Sequence, residues 1–164
     1  MSQSTSGTCA CSTVCSLPYA PDLTKQAPRS PRVRLGGYAV LPRMLDKCRA
    51  TLVGKSGDYH YNCPLDQTFL TFVGIDPEAL KAEVAKGKGD GEILAWIEAN
   101  AAIKRNVVEI AAWSTRGDTY GPTDFESREF FNGLLGGISK TRADIAGWFD
   151  LLDLDDYVTY GGKA

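Results

Sequence analysis

The residues best suited to hold a negatively charged group are concentrated near the start of the chain. Seven basic side chains and one acidic side chain lie between residues 25 and 49, so this segment carries a net charge of +6 in a chain of net charge −2. A guanidinium holds phosphate or carboxylate through two parallel hydrogen bonds and keeps its charge at any physiological pH. The sequence therefore predicts an anion-binding site made of four arginines: Arg29, Arg32, Arg34 and Arg43.

The same arginines could instead hold the protein itself together. Residues 50–164 contain eleven basic and eighteen acidic side chains, and four aspartates lie close to the end of the chain: Asp150, Asp153, Asp155 and Asp156. Pairing with these carboxylates would strap a proline-rich segment to the rest of the protein. The partner is therefore an unknown anionic small molecule or protein, or the cluster is purely structural. The acidic total argues against nucleic acid as a partner.

A second group of residues could support catalysis. His60 is the only histidine in the chain, and Cys63 follows it three positions later, just before Pro64. A thiol at the start of a helix is a candidate nucleophile, and a histidine can carry its proton, with Asp46 or Asp66 as the accompanying carboxylate. This alternative is a small enzyme in acyl or phosphate chemistry. A lone histidine among aromatic residues is more often a packed side chain, so a non-catalytic binding module is the preferred hypothesis.

The cysteines and aspartates do not match a known metal-binding pattern. Cys9, Cys11 and Cys15 lack the paired two-residue spacing of structural zinc ligands. The aspartates between residues 150 and 156 lack the glycine and the final glutamate of a calcium loop. We therefore predict no metal and no cofactor. Residues 1–21 are rich in serine, threonine and cysteine, which predicts a disordered tail.

The elements that would position these residues are mostly helical. Four prolines, Pro18, Pro21, Pro28 and Pro31, forbid a continuous helix, and we predict an extended basic arm over residues 22–37. A helical face then begins at Tyr38, with apolar residues at steps of three and four, and it turns the charged side chains away from the core. The apolar residues are Tyr38, Leu41, Leu45, Cys48 and Leu52, and the charged residues are Arg43, Asp46, Lys47 and Arg49.

Capping patterns predict where several later helices start. Asp76 precedes Pro77, which is tolerated in a first turn. Capping boxes span residues 106–109, 123–126 and 141–144. About seven short helices without an alternating series of strands predict a compact all-α fold. One short hairpin is an option near residues 58–62, where aromatic residues alternate.

Composition and length fit one soluble domain. The chain has 164 residues, of which 43% are hydrophobic and 23% charged, a content typical of a globular protein. We predict a single helical domain over residues 22–164. The sequence has neither a secretory signal nor a long apolar run, so we expect a cytoplasmic protein that does not enter a membrane.

Three separated blocks of this sequence resemble one known family. The first runs from Asp22 to Arg49 and contains Pro28-Arg29-Ser30-Pro31-Arg32; the others are Tyr59–Gln67 and Trp148–Asp156. In this order, over residues 22–164, they resemble the bacterial family catalogued as domain of unknown function 5069. The resemblance implies a family with no assigned activity, so it transfers no catalytic residue. It does not extend to residues 1–21.

Overall fold

Seven α-helices form the regular structure of the part of the chain that is described. The computed structural model describes Leu17 and residues 19–164. The helices are α1 Leu41–Leu52, α2 Pro64–Val73, α3 Pro77–Val84, α4 Asp90–Asn100, α5 Val107–Thr119, α6 Phe125–Ile138 and α7 Trp148–Thr159. The predicted all-α fold is confirmed. The tail predicted to be disordered spans residues 1–21. Its cysteines, Cys9, Cys11 and Cys15, lie outside the described residues, and only Leu17 and residues 19–21 of this segment are described.

No strand occurs within residues 19–164, so the hairpin considered near residues 58–62 is not present. The only β-type pairing in this range is an isolated bridge between Leu35 and Tyr38. The aromatic residues near 60 point to separate partners instead of to each other. The hydroxyl of Tyr59 donates to Asp156, and that of Tyr61 donates to the carbonyl of Pro77.

The main core lies among the first four helices. The apolar face of α1 contributes side chains with 0% exposure, and α2, α3 and α4 pack against it with Phe69, Leu80 and Ile97. The core residues of α1 are Leu41, Met44, Leu45 and Cys48. Three of them belong to the face predicted from the sequence, so the periodicity identified this packing surface correctly.

The charged face of α1, predicted to point away from the core, is itself buried. Its four charged side chains belong to residues that are only 2–4% exposed: Arg43, Asp46, Lys47 and Arg49. They lie away from the apolar core, as the spacing required, but the basic arm and later segments cover them. Charges are tolerated there because each is paired, and no buried side-chain nitrogen or oxygen in the described region lacks a hydrogen bond.

Ser114 ties the end of the arm to α5. Its hydroxyl donates to the carbonyl of Gly37 and accepts a hydrogen bond from the backbone N–H of Ala39 at 2.9 Å. Helix α7 packs against both α5 and α6, and Phe149 reaches the small apolar cluster of Ala39 and Val40. The last three helices are thereby attached to the arm and to α1.

The longest described helix, α6, has 14 residues. None of the helices between residues 19 and 164 is long and apolar enough to cross a bilayer.

Candidate functional site

Arg29 is held by two aspartates. Its guanidinium donates to both carboxylate oxygens of Asp46, at 3.0 and 2.9 Å, and to Asp90 at 2.6 Å. Burial opposes the charged form of Arg29, but the hydrogen bonds to Asp46 and Asp90 outweigh it and raise the pKa of the guanidinium. Asp90 also accepts a hydrogen bond from Arg49 at 2.7 Å. One carboxylate therefore joins the arm, α1 and the start of α4.

Arg32 and Arg34 connect the arm to α5 and α7. Arg32 donates to Asp150, and its guanidinium nitrogens lie 3.6 Å from Asp118 and 3.7 Å from Asp153. Arg34 pairs with Asp118 at 2.5 Å. Both guanidinium groups thus face carboxylates of the same chain.

Arg43 is the most deeply buried of the four predicted arginines. It donates to Asp156 of α7 at 2.6 Å, and its side chain is 4% exposed. The hydroxyl of Tyr59 donates to the same carboxylate at 2.7 Å, and the guanidinium lies 5.6 Å from the centre of the Tyr59 ring. Burial, followed by the hydrogen bond to Asp156, raises the pKa of Tyr59.

The four arginines do not converge on a single cavity. Arg43 lines a cavity of about 640 Å³ near Cys63, whereas Arg29 lines a separate cavity of about 360 Å³ with Arg49 and Lys88. Arg32 and Arg34 line neither of these two cavities. Their role as ligand-binding residues stays a prediction.

Cys63 is positioned by the start of α2 and by a buried lysine. It is the N-cap residue of α2 and is half-buried. The ammonium of Lys47 donates to the Cys63 sulfur at 3.1 Å and to Asp66 at 2.8 Å. Asp66 is 0% exposed and also accepts from the backbone N–H of Asn62. The structure therefore brings together Cys63, Lys47 and Asp66.

The other catalytic candidates are placed differently. His60 is exposed and lines the same cavity as Cys63, and no hydrogen bond to it occurs within the described part of the chain. Asp46 is engaged by Arg29 rather than by Cys63. Of the two carboxylates considered, only Asp66 is connected to the thiol, and the connection passes through Lys47.

Sequence reasoning missed Lys47 as a site residue. The signal was present, because Arg43 and Lys47 are four positions apart and must share one face of α1. Both side chains line the cavity near Cys63. We call this space the Cys63 cavity; its polar lining residues include Arg43, Lys47, Tyr59, His60, Cys63 and Tyr160.

The start of α2 offers hydrogen-bond donors beside the thiol. Proline at the first position of α2 has no N–H, and the backbone N–H groups of Leu65 and Asp66 have no acceptor among the described residues. The first N–H groups of a helix point out of its end, where they attract negative charge. A negatively charged oxygen near Cys63 could accept from them.

Cys48, the other described cysteine, is more deeply buried than Cys63. It is 0% exposed within the main core, and burial raises the pKa of its thiol to about 12. A thiol in this state is a poor nucleophile. Within residues 19–164, Cys63 is thus the cysteine that could react with a molecule from solution.

The described residues contain no group of three histidine, cysteine or carboxylate side chains arranged to hold a metal ion.

Residues 25–158 match the family model described as domain of unknown function (DUF5069). The chain belongs to this family. The matched range contains both the arginine cluster and the residues around Cys63, so these belong to the DUF5069 domain. A comparison with curated proteins found no match.

Proposed function

We propose that the protein is a thiol-dependent enzyme that acts on a small carbonyl compound, with Cys63 as the nucleophile. The observation that carries this proposal is the hydrogen bond of 3.1 Å from the Lys47 ammonium to the Cys63 sulfur, at the wall of a cavity of about 640 Å³. A cavity of this size accommodates a small organic molecule.

The surroundings of Cys63 place positive charge next to its sulfur. The Lys47 ammonium donates to the sulfur, and α2 begins directly after Cys63, so the positive end of its dipole lies at the same residue. Lys47 is fixed by Asp66 at 2.8 Å, so its charge stays beside the sulfur. The buried carboxylate therefore supports the thiol indirectly, by holding the lysine.

The reaction supported by this arrangement is acyl transfer. The sulfur attacks the carbonyl carbon, a C–S bond forms, and the carbonyl oxygen becomes negatively charged. The unpaired N–H groups of Leu65 and Asp66 are suited to stabilise that oxygen. The bond to the leaving group then breaks, and His60 on the same cavity wall carries the proton given up by the Cys63 thiol to the leaving group. Water or a second nucleophile releases the acyl group from sulfur.

The proposal can be tested with p-nitrophenyl acetate as a model acyl donor. The variant Cys9→Ser/Cys11→Ser/Cys15→Ser removes the three cysteines near the N-terminus as competing thiols. We expect about one equivalent of p-nitrophenolate per chain in a rapid first phase, with one acetyl group located on Cys63 by peptide mass mapping.

Matched variants in the same background identify the responsible groups. Cys63→Ser should remove the rapid phase, Cys48→Ala should leave it intact, and Lys47→Met should slow it about tenfold, as expected for loss of a charged hydrogen bond. Acetylation of Cys63 no faster than in the urea-unfolded chain would refute the proposal.

The arginine cluster is better accounted for as a structural brace than as a ligand site. Each of the four guanidinium groups contacts at least one carboxylate of its own chain. A ligand anion would have to displace these carboxylates. Measuring the thermal shift caused by phosphorylated metabolites, with an Arg32→Ala/Arg34→Ala variant as control, distinguishes the two roles, because a ligand that binds only the folded protein raises its apparent stability. A shift that is lost in the variant would favour anion binding.

A further inference from the structure

A second cavity lies between the start of α2 and helices α5, α6 and α7. Its volume is about 650 Å³, and its wall is mostly apolar, with Trp113, Trp148, Phe149, Leu134, Leu65 and Leu152 among the lining residues. We call it the tryptophan cavity. Sites for small molecules are typically concave spaces of this size with apolar walls and few polar groups.

The aromatic wall is held in place by ring packing outside the cavity. Trp113 stacks on Phe72 with ring centres 4.8 Å apart, and Trp148 meets the buried ring of Phe131 edge-on at 5.0 Å. Such contacts fix the orientation of each indole. The cavity wall is therefore preformed, which lowers the entropic cost of binding an apolar molecule.

Arg116 supplies a positive charge at this apolar wall. It is exposed, its guanidinium lies 5.4 Å from the centre of the Tyr120 ring, and no carboxylate pairs with it among the described residues. The arginines of the basic arm differ, because each of them has an aspartate partner. Arg116 is thus available to pair with an anionic group from outside.

We propose that the tryptophan cavity binds an apolar carboxylic acid, with the hydrocarbon part against Trp113, Trp148 and Phe149 and the carboxylate on Arg116. The apolar wall favours a hydrocarbon group over a sugar or a nucleotide. The unpaired guanidinium favours a carboxylate and disfavours a cation.

This site does not depend on chemistry at Cys63. Leu65 and Leu152 lie between the two cavities and line both of them. Cys63 and Lys47 line only the Cys63 cavity. Arg116 and both tryptophans line only the tryptophan cavity. A carboxylic acid could therefore bind even if Cys63 has no catalytic role, and the two proposals can fail separately.

Intrinsic fluorescence gives a direct test, because two of the three tryptophans of the chain line the cavity. The Trp96→Phe variant removes the tryptophan outside it. This protein is titrated with decanoate below its micellar concentration, and in parallel with decanol and decyltrimethylammonium. We expect saturable binding of decanoate at least about tenfold tighter than binding of the other two, because only decanoate can pair with Arg116.

Two variants test the site, and one serves as a matched control. Arg116→Gln should weaken decanoate binding about tenfold and leave decanol binding unchanged. Leu134→Glu, at an exposed position on the cavity wall, should repel decanoate while circular dichroism shows an intact fold. Arg128→Gln serves as the control, because Arg128 is an arginine of α6 outside this cavity. The proposal would be overturned if decanoate gave no saturable signal or bound no more tightly than decanol. It would also be overturned if Arg116→Gln and Arg128→Gln lost equal affinity for decanoate.

Discussion

The ammonium nitrogen of Lys47 lies 3.1 Å from the sulfur of Cys63, across 16 positions of sequence. The loop after α1 brings Cys63, at the start of α2, back to the face of α1 that carries Lys47. The lysine residue is 3% exposed, so it depends on its partners for the hydrogen bonds that water would otherwise provide. The same geometry that holds the thiol also stabilises the fold, and the two contributions can be measured separately.

Replacing Lys47 by methionine should destabilise the protein because it leaves Asp66 buried without its cation. We expect the free energy of unfolding in urea to fall by about 3 kcal/mol. The double variant Lys47→Met/Asp66→Asn should recover part of this loss, since an uncharged amide can still accept from the N–H of Asn62. A double variant less stable than Lys47→Met would show that the pair is not the source of the effect.

Removing Arg29 tests whether the arm braces the fold. Arg29→Ala leaves the Asp46 carboxylate, which is 2% exposed, without its bidentate partner. Because the arginine itself is partly solvated, we expect a loss of about 2 kcal/mol in the free energy of unfolding.

The matched control for Arg29 is Arg142→Ala. Arg142 also pairs with an aspartate, but the side chains of Arg142 and Asp144 are 40% and 63% exposed. Exposed ion pairs contribute little to stability. Equal effects of the two substitutions would mean that the arm is not held by its buried ion pairs.

Ser114 is expected to be important for stability. It is 1% exposed, and Ser114→Ala would leave the buried N–H of Ala39 without an acceptor. The cost should be about 2 kcal/mol in the free energy of unfolding. Thr115→Ala, at an exposed position of the same helix, should have almost no effect. A small effect of Ser114→Ala would indicate that another group replaces the hydroxyl.

The helix starts show how far local sequence predicts this fold. Asp76 accepts from the N–H of Ala79, and Asn106 forms the expected reciprocal pair with Glu109, as predicted from short-range patterns alone. The capping box predicted at residues 123–126 placed the helix start one residue too early, because the N-cap residue of α6 is Asp124. The box at residues 141–144 was wrong as a helix start, because Asp144 pairs with Arg142 and α7 begins at Trp148.

Tertiary contacts decide what the local pattern could not. The apolar periodicity placed the start of α1 at Tyr38, but the helix begins at Leu41 because Val40 has a φ of 69° and its N–H binds the carbonyl of Pro31. A β-branched residue rarely adopts this conformation. Likewise, periodicity separated the charged face of α1 from the core, but only the folded arm and α7 reveal that this face is buried.

The stability of the brace should depend on pH through Asp90. Burial alone would raise the pKa of this carboxyl group, but the hydrogen bonds from Arg29 and Arg49 outweigh burial and hold the pKa below its ordinary value of 3.8. The Asp90 carboxylate then binds a proton more tightly in the unfolded chain than in the folded protein. The stabilisation is therefore complete above the ordinary pKa of 3.8 and is lost as the pH falls below 3.8 towards the pKa in the folded protein. The difference in free energy of unfolding between the wild type and Asp90→Asn should therefore be constant near neutral pH and should shrink below about pH 4. Urea unfolding between about pH 7 and pH 3 measures this difference. The control is Glu126→Gln, because Glu126 is an exposed carboxylate outside the brace; its free energy of unfolding should differ little from that of the wild type at every pH. A difference for Asp90→Asn that grows towards acid pH would contradict the assigned ion pairs.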